Sequence, residues 1–395
     1  MRAQLFLVFL RLGLTSFGGP IAHLGYFREE FVARRRWLSE AEFAQLLAIC
    51  QALPGPASSQ LGFAVGLLRA GWAGGLLAFL GFTLPSALLL FGFAIVAPSV
   101  DAGLMAPLVH GLKLVAVVVV AHGLVGMARS LVPDGPRALL AVLALGVMLA
   151  GGPAWHQLAV IAAGGVLGIW LCRGVANLPA GTLRTRHSAR TGGWLLGLFA
   201  VGLATALSVA DESASALALT AAFYEAGALV FGGGHVVLPL LEQSTVATGW
   251  LGEDAFLAGY GAAQAVPGPM FALAAYLGAL VPTGMTPGVG ATLALMAIFL
   301  PGLILVAALL PLWSGLAARP GAAAVVAGVN AVVVGLLAAA FVGTVLPAGV
   351  QGAGDAVIAI AGLALLAVAR WNVLWVVAIV VATILLLHAS VGSSL

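Results

Sequence analysis

Long apolar runs alternate along the chain with short polar interruptions. The runs lie near residues 3–26, 43–68, 71–97, 107–130, 137–152, 155–172, 194–210, 215–240, 255–282, 288–313, 322–344, 352–368 and 371–389. A helix crossing a bilayer needs about 20 apolar residues. The pattern therefore predicts a helical membrane protein with about thirteen such segments. The one obvious boundary is a basic linker at 173–193 that carries Arg184, Arg186, His187 and Arg190.

Within this pattern one stretch occurs twice. The first copy opens Phe17-Gly18-Gly19-Pro20 and closes Gln51-Ala52-Leu53-Pro54-Gly55-Pro56, with Trp37-Leu38, Glu40 and Phe43 between. The second opens Phe231-Gly232-Gly233-Gly234 and closes Gln264-Ala265-Val266-Pro267-Gly268-Pro269, with Trp250-Leu251, Glu253 and Phe256 at matching intervals after one single-residue gap. Two motifs in register mark an internal duplication. Pro85 matches Pro301, and Gly111-Leu112-Lys113 matches Gly328-Val329-Asn330, so the repeat covers most of each half. We expect a first repeat at 1–172, a linker with its own helix at 173–214, and a second repeat at 215–395.

An odd number of crossings between the copies inverts the second, which is the plan of many secondary transporters. Loop charge selects between two versions of that plan, because Lys and Arg collect on the cytoplasmic side. If every segment spans fully from an inside N-terminus, Arg28, Arg34, Arg35 and Arg36 fall outside and Glu242, Glu253 and Asp254 fall inside. If instead the Phe-Gly-Gly and Pro-Gly-Pro segments are re-entrant hairpins, nine segments cross and these placements reverse. Arg69, Arg129, Arg137, Arg319 and Arg370 then also lie inside, and Asp101, Asp211, Glu212 and the C-terminus lie outside. The hairpin version is the expectation.

Of the 395 residues, 62% are hydrophobic and 7% charged, with a mean hydropathy of +1.15, which leaves too little polar surface for a soluble globule. The net charge of +3 is scattered between apolar runs, so the expected partner of the arginines is the bilayer surface and not nucleic acid. Cys50 and Cys172 lie in apolar segments without metal or disulfide spacing and read as core residues. No small-residue cleavage site follows the N-terminal run, which is therefore expected to belong to the mature chain. No cofactor is expected.

Glycine and proline in mid-segment interrupt the helical ladder, and in hydrocarbon an unpaired backbone group costs several kcal/mol. Such breaks must be buried in protein or line a polar cavity. A helix restarting after Pro20 or Pro56 presents free N–H groups and the positive end of its dipole to an anion. Gly18, Gly19, Gly55, Gly232, Gly233, Gly234 and Gly268 are the candidate backbone contacts. Ser16, His23, Gln51, Ser58, Ser59 and Gln264 flank the breaks and offer hydroxyl, imidazole and amide groups to an oxyanion, or else satisfy the broken backbone themselves. Charges inside apolar segments are functional candidates. Arg11 precedes the first break, with Glu225 as its mate, and can grip an oxyanion through two parallel hydrogen bonds or form a structural ion pair. Lys113 has neutral Asn330 as its mate. No nucleophile–base constellation, phosphate loop or zinc spacing occurs, so an enzyme and an ATP-driven pump are not expected.

The motifs resemble those of the chromate ion transporters in their long form with two homologous halves. The likeness rests on Phe9, Gly13 and Phe17 to Pro20, on Gln51 to Pro56, on Phe223, Gly227 and Phe231 to Gly234, and on Gln264 to Pro269. It implies a multi-pass protein of the bacterial inner membrane that exports chromate from the cytoplasm. Sulfate, also a tetrahedral dianion, is a competing or exchanged ion. The resemblance supports Arg11 and both pairs of motifs as site residues. A transporter of another oxyanion and an anion channel remain open, and a homodimer is one expectation for its assembly.

Overall fold

The computed structural model describes residues 2–17, 19–97, 102–151, 155–175, 183, 185, 187–209, 213–230, 237–317, 319 and 321–392. Its regular elements are all helical among these residues. In the first half they are α1 (Arg2–Thr15), α2 (Gly19–Arg28, continued by a π turn Glu29–Arg34), α3 (Glu40–Ala52), α4 (Ala57–Val96), α5 (Ala102–Leu131), α6 (Gly135–Leu149) and α7 (Trp155–Leu171). After the linker comes α8 (Ala189–Ser208). The second half holds α9 (Ala216–Leu229), α10 (Val237–Thr245), α11 (Glu253–Ala265), α12 (Leu273–Leu280, entered through a 3-10 turn Met270–Ala272) and α13 (Pro287–Leu309). It continues with α14 (Trp313–Ala317), α15 (Ala322–Ala340, continued by a π turn Phe341–Val345), α16 (Leu346–Gly349), α17 (Ala353–Ala367) and α18 (Val373–Gly392). Five described helices are long and apolar enough to cross a bilayer, at 57–96, 106–131, 189–208, 287–309 and 322–349.

The first apolar run reverses direction. Phe9 in α1 lies 6.0 Å from Phe27 and 5.2 Å from Phe31, ring centre to ring centre. In one straight helix at 1.5 Å per residue Phe9 and Phe31 would stand about 33 Å apart. The chain therefore reverses between α1 and α2, leaving helical geometry at Ser16 and Phe17. The second run also returns: Arg69, at the far end of the first arm of α4, sits 5.3 Å from the Trp37 ring, and Arg35 lies 5.2 Å from the same ring. The Arg28 to Glu40 ion pair, at 2.5 Å, closes the connection between the two hairpins.

The helix α4 is two arms, since Ala70 and Gly71 leave helical geometry and Gly71 takes φ +67°. Glycine is the residue that adopts such angles without strain. Gly66 and Gly74 then bring the arms into backbone contact with no room for a Cβ on either. Among the described residues the second half repeats the second hairpin and the close glycine packing of its arms. Tyr276 of α12 donates its hydroxyl to the carbonyl of Ala255 in α11 at 3.0 Å, so the chain reverses at 266–269. Gly278 and Gly290 pack α12 on α13 as Gly66 and Gly74 pack the arms of α4. Gly13 lies against the carbonyl of Phe82, and its repeat-mate Gly227 lies against that of Ile298.

Helix starts follow chemistry that differs with depth. Ser39 and Glu42 form a reciprocal capping box on α3, while Asp134, Ser188 and Ser215 cap α6, α8 and α9. These caps satisfy N–H groups between the apolar runs. By contrast α4 begins behind Pro56 with no side-chain cap. Its open first turn lies inside an apolar run.

Candidate functional site

The hairpin tips of the two halves are tied to each other. Gly55 donates its backbone N–H to the carbonyl of Val230 at 2.7 Å, and Gly268 donates to the carbonyl of Ser16 at 2.9 Å. In repeat terms these are the same bond made twice, each from a Pro-Gly-Pro break to the residue before the other half's Phe-Gly-Gly motif. Both glycines hold positive φ, +119° and +104°. A Cβ on Gly55 would stand 2.9 Å from Gly302 Cα, and one on Gly268 would stand 2.9 Å from Ser86 Oγ. Glycine is needed for both reasons.

Around the Ser16 junction polar side chains are buried. His23 Nε2 lies 3.1 Å from the Ser16 carbonyl and Nδ1 lies 3.3 Å from Ser58 Oγ. A carbonyl only accepts, so Nε2 carries a proton. In the neutral ring Nδ1 then accepts from the Ser58 hydroxyl. The ring also stands edge-on to Phe82, centres 5.3 Å apart. Gln60 donates to the carbonyls of Pro54 and Gly302 at 2.7 and 3.1 Å, closing the broken backbone across the halves. Ser86 donates to the Thr83 carbonyl at 2.9 Å. Within the described residues, Ser16 Oγ, Ser59 Oγ, Gln60 Oε1 and Thr83 Oγ1 are buried with no hydrogen-bond partner. Such groups are costly unless something completes them.

Of the expected site residues, Ser16, His23, Gly55, Ser58, Ser59 and Gly268 come together here, and Gly19 opens α2 beside them. That helix starts one residue earlier than the motif predicts, so Pro20 sits within its first turn. Gln264 is buried and donates to Met270 Sδ at 3.5 Å, whereas its mate Gln51 is exposed. Arg11 lies on the exposed face of α1 with Leu7 and Leu14, and Glu225 on α9 is half-buried. Lys113, buried in α5, pairs with Asp254 at the start of α11, and nearby His110 meets Asp355 at 2.9 Å. Gly18, Gly232, Gly233 and Gly234 lie outside the described residues, as do Phe231, His235, Arg184, Arg186, Asp101, Asp211 and Glu212. Gln60, Thr83 and Ser86 were not singled out from the sequence. Their signal was a hydroxyl or amide inside an otherwise apolar run.

At the loop that joins the first two hairpins, burial pushes the Glu30 carboxyl up, and hydrogen bonds and charges from Arg35 and Arg34 outweigh it and hold it below its ordinary value. Cys50 and Cys172 are buried free thiols.

Apolar helices, several of them long enough to span a bilayer, around a buried polar centre built from interrupted helices define a polytopic helical membrane protein. The family model described as chromate transporter matches residues 3–169 and 217–386, one match in each half, and the chain belongs to that family. The family's proteins are transporters and not enzymes. A chromate transport protein of Pseudomonas aeruginosa is 28% identical over 294 residues, covering 70% of this chain and 65% of that protein. A probable chromate transport protein of Synechococcus elongatus is 30% identical over 364 residues, covering 86% and 83%. A chromate transport protein of Cupriavidus metallidurans is 29% identical over 353 residues, covering 86% and 81%. No solved structure matches the chain.

Proposed function

We propose that this chain is a secondary transporter that exports chromate from the cytoplasm across the bacterial inner membrane, with sulfate competing for the same site or exchanging through it. The observation that carries the reading is the pair of reciprocal hydrogen bonds, Gly55 to Val230 and Gly268 to Ser16. They support an inverted repeat whose two breaks meet at one place, the arrangement in which alternating access moves one repeat against the other around a fixed site. The open first turn of α4 and the start of α2 supply N–H groups to the anion. Membership of the chromate transporter family supports the choice of substrate.

The same reading sets the topology. The four hairpins enter and leave on one side of the membrane each, and the crossings are the second arm of α4 with α5, α6, α7, α8, α13, α15, α17 and α18. Arg35, Arg69, Arg137, Arg319 and Arg370 then face the cytoplasm, and Glu253, Asp254 and Asp355 face outside, in accord with the cytoplasmic bias of basic loops.

Inverted membrane vesicles containing the protein test the function. They are expected to accumulate radiolabelled chromate, to lose accumulation when excess sulfate is added, and to need a gradient across the membrane. Chromate movement that only follows its own gradient would assign an anion channel instead.

A further inference from the structure

The two halves share a backbone plan and differ sharply in what they place around it. Counting from Phe17 and Phe231, the mates of Ser16 and His23 are Val230 and Val237. Counting from Gly55 and Gly268, the mates of Ser58, Ser59 and Gln60 are Phe271, Ala272 and Leu273. Counting from Pro85 and Pro301, the mate of Thr83 is Phe299. Each polar group of the first-half cluster has an apolar counterpart.

Two of those counterparts touch. The rings of Phe271 and Phe299 lie 5.8 Å apart, centre to centre, on the 3-10 turn and on α13. Their mates, Ser58 and Thr83, occupy corresponding places on the two arms of α4. Where the second half sets two phenyl rings against each other, with Phe299 also 5.0 Å from the Phe79 ring of α4, the first half has two hydroxyl side chains at the matching positions. The register of the α4 arms, with Gly66 against Gly74 and Ala78, carries Ser59 to the level of Phe82 and Thr83. Phe82 touches His23, and His23 touches Ser58.

The hydrogen bonds divide this cluster into used and unused groups. Ser58 is committed to His23, and Gln60 uses its amide nitrogen on two carbonyls. The hydroxyls of Ser16, Ser59 and Thr83 belong to residues 0%, 2% and 2% exposed and have no partner among the described residues. Three buried hydroxyl donors beside an uncapped helix start are a donor set for a tetrahedral oxyanion, whose four oxygens all accept.

We infer that the oxyanion site is one-sided, built on the first half by the Ser16, Ser59 and Thr83 hydroxyls and the open first turn of α4, and that Thr83 is a substrate-binding residue. The inference deepens the function proposed above and rests on it. Thr83 donates its hydroxyl hydrogen to a substrate oxygen, while the aromatic counterparts in the second half pack as a rigid support.

Equilibrium binding of chromate, and separately of sulfate, to the full-length protein in detergent tests this, with transport KM and kcat from proteoliposomes. Thr83→Val keeps the shape and removes the hydroxyl, and is expected to raise Kd and KM about tenfold, which is about 1.4 kcal/mol, with kcat changed much less. Thr83→Ser restores the donor and should return both to within about twofold of the original, given how a lost donor to a charged group dominates such changes. Ser59→Ala provides a second, independent variant with the same expected rise. Wild-type binding with Thr83→Val and Ser59→Ala unchanged would overturn the one-sided shell and leave the transport reading standing. Equal losses in Thr83→Val and Thr83→Ser would make Thr83 a packing residue. Absence of oxyanion binding by the wild type overturns both readings.

Discussion

Gly268 donates its backbone N–H to the carbonyl of Ser16 at 2.9 Å, joining a break in the second half to a break in the first across more than half the sequence. The Ser16 carbonyl accepts a second bond from His23 Nε2 at 3.1 Å, so a single oxygen holds the hairpin tip, the imidazole and the opposite repeat together. Movement of one repeat against the other must stretch this bond and its counterpart from Gly55 to Val230. Both are made by glycines at angles that other residues avoid.

Replacing either glycine with alanine tests how much the junction carries. At φ +119° and +104° an added Cβ is strained whatever the space, and it also meets Gly302 Cα or Ser86 Oγ at 2.9 Å. Local strain of this kind costs about 1–3 kcal/mol. Gly55→Ala and Gly268→Ala are each expected to lower the melting temperature of the detergent-solubilised protein and to abolish chromate resistance in cells. Because Gly268 faces a serine hydroxyl, whereas Gly55 faces the Gln60 amide, itself held by two carbonyls, and the Gly302 backbone, Gly55→Ala should be the more severe. The reverse order, or normal resistance in both, would contradict a tight cross-half junction.

Topology is checked by single-cysteine labelling with an impermeant reagent, on a background from which Cys50 and Cys172 have been removed. Residues 35 and 69 are expected to be protected in intact cells and 253 to be labelled. Strong external labelling at position 35 would mean that the Phe9 to Phe31 hairpin crosses in some other sense, and the cytoplasmic bias of the arginines would lose its meaning here.

Much of this architecture is legible in the sequence because it is written in residues that interrupt helices. Gly55, Gly268 and the prolines beside them announce two of the breaks, and the charge of the loops is the ground on which hairpins are expected. The chain reverses between α1 and α2, as the 5.2 Å between the Phe9 and Phe31 rings requires. What the sequence conceals is pairing through space. Nothing local to Lys113 points to Asp254, and nothing local to Ser16 points to Gly268. Thr83, Ser86 and Gln60 are hidden for another reason: a hydropathy average over an apolar run absorbs a single hydroxyl or amide. Arg11 shows the converse, since its depth in the sequence suggests burial while α1 presents it on an exposed face with Leu7 and Leu14.

The Lys113 to Asp254 ion pair joins a lysine whose side chain is 9% exposed to an aspartate that is 81% exposed. Removing the two partners should therefore have unequal effects. Asp254→Asn leaves a buried ammonium uncompensated and is expected to destabilise by about 1–2 kcal/mol, below the roughly 3–5 kcal/mol of a fully buried pair. Lys113→Met leaves only a solvated carboxylate and should cost less than about 1 kcal/mol. Chemical denaturation of the four members of a double-mutant cycle reads this directly. Equal single-mutant costs would show that both ends of the pair are solvated.

Arg11 decides whether an intramembrane charge is a grip or a scaffold. The guanidinium lies on α1 one turn before the reversal, outside the buried cluster, while its repeat-mate Glu225 is half-buried on α9. A positive charge so near the site attracts a dianion through its field, and that effect survives exchange for lysine; two parallel hydrogen bonds to the substrate do not survive it. Arg11→Gln is expected to raise the KM for chromate about tenfold, an amount equal to about 1.4 kcal/mol. Measured affinity of Arg11→Lys then separates field from grip, with near-original KM assigning the field. The double change Arg11→Gln with Glu225→Gln is the discriminating measurement. Restored transport makes the two residues a charge-balanced scaffold and leaves substrate charge to the helix starts and hydroxyls; continued loss keeps Arg11 in the substrate's path.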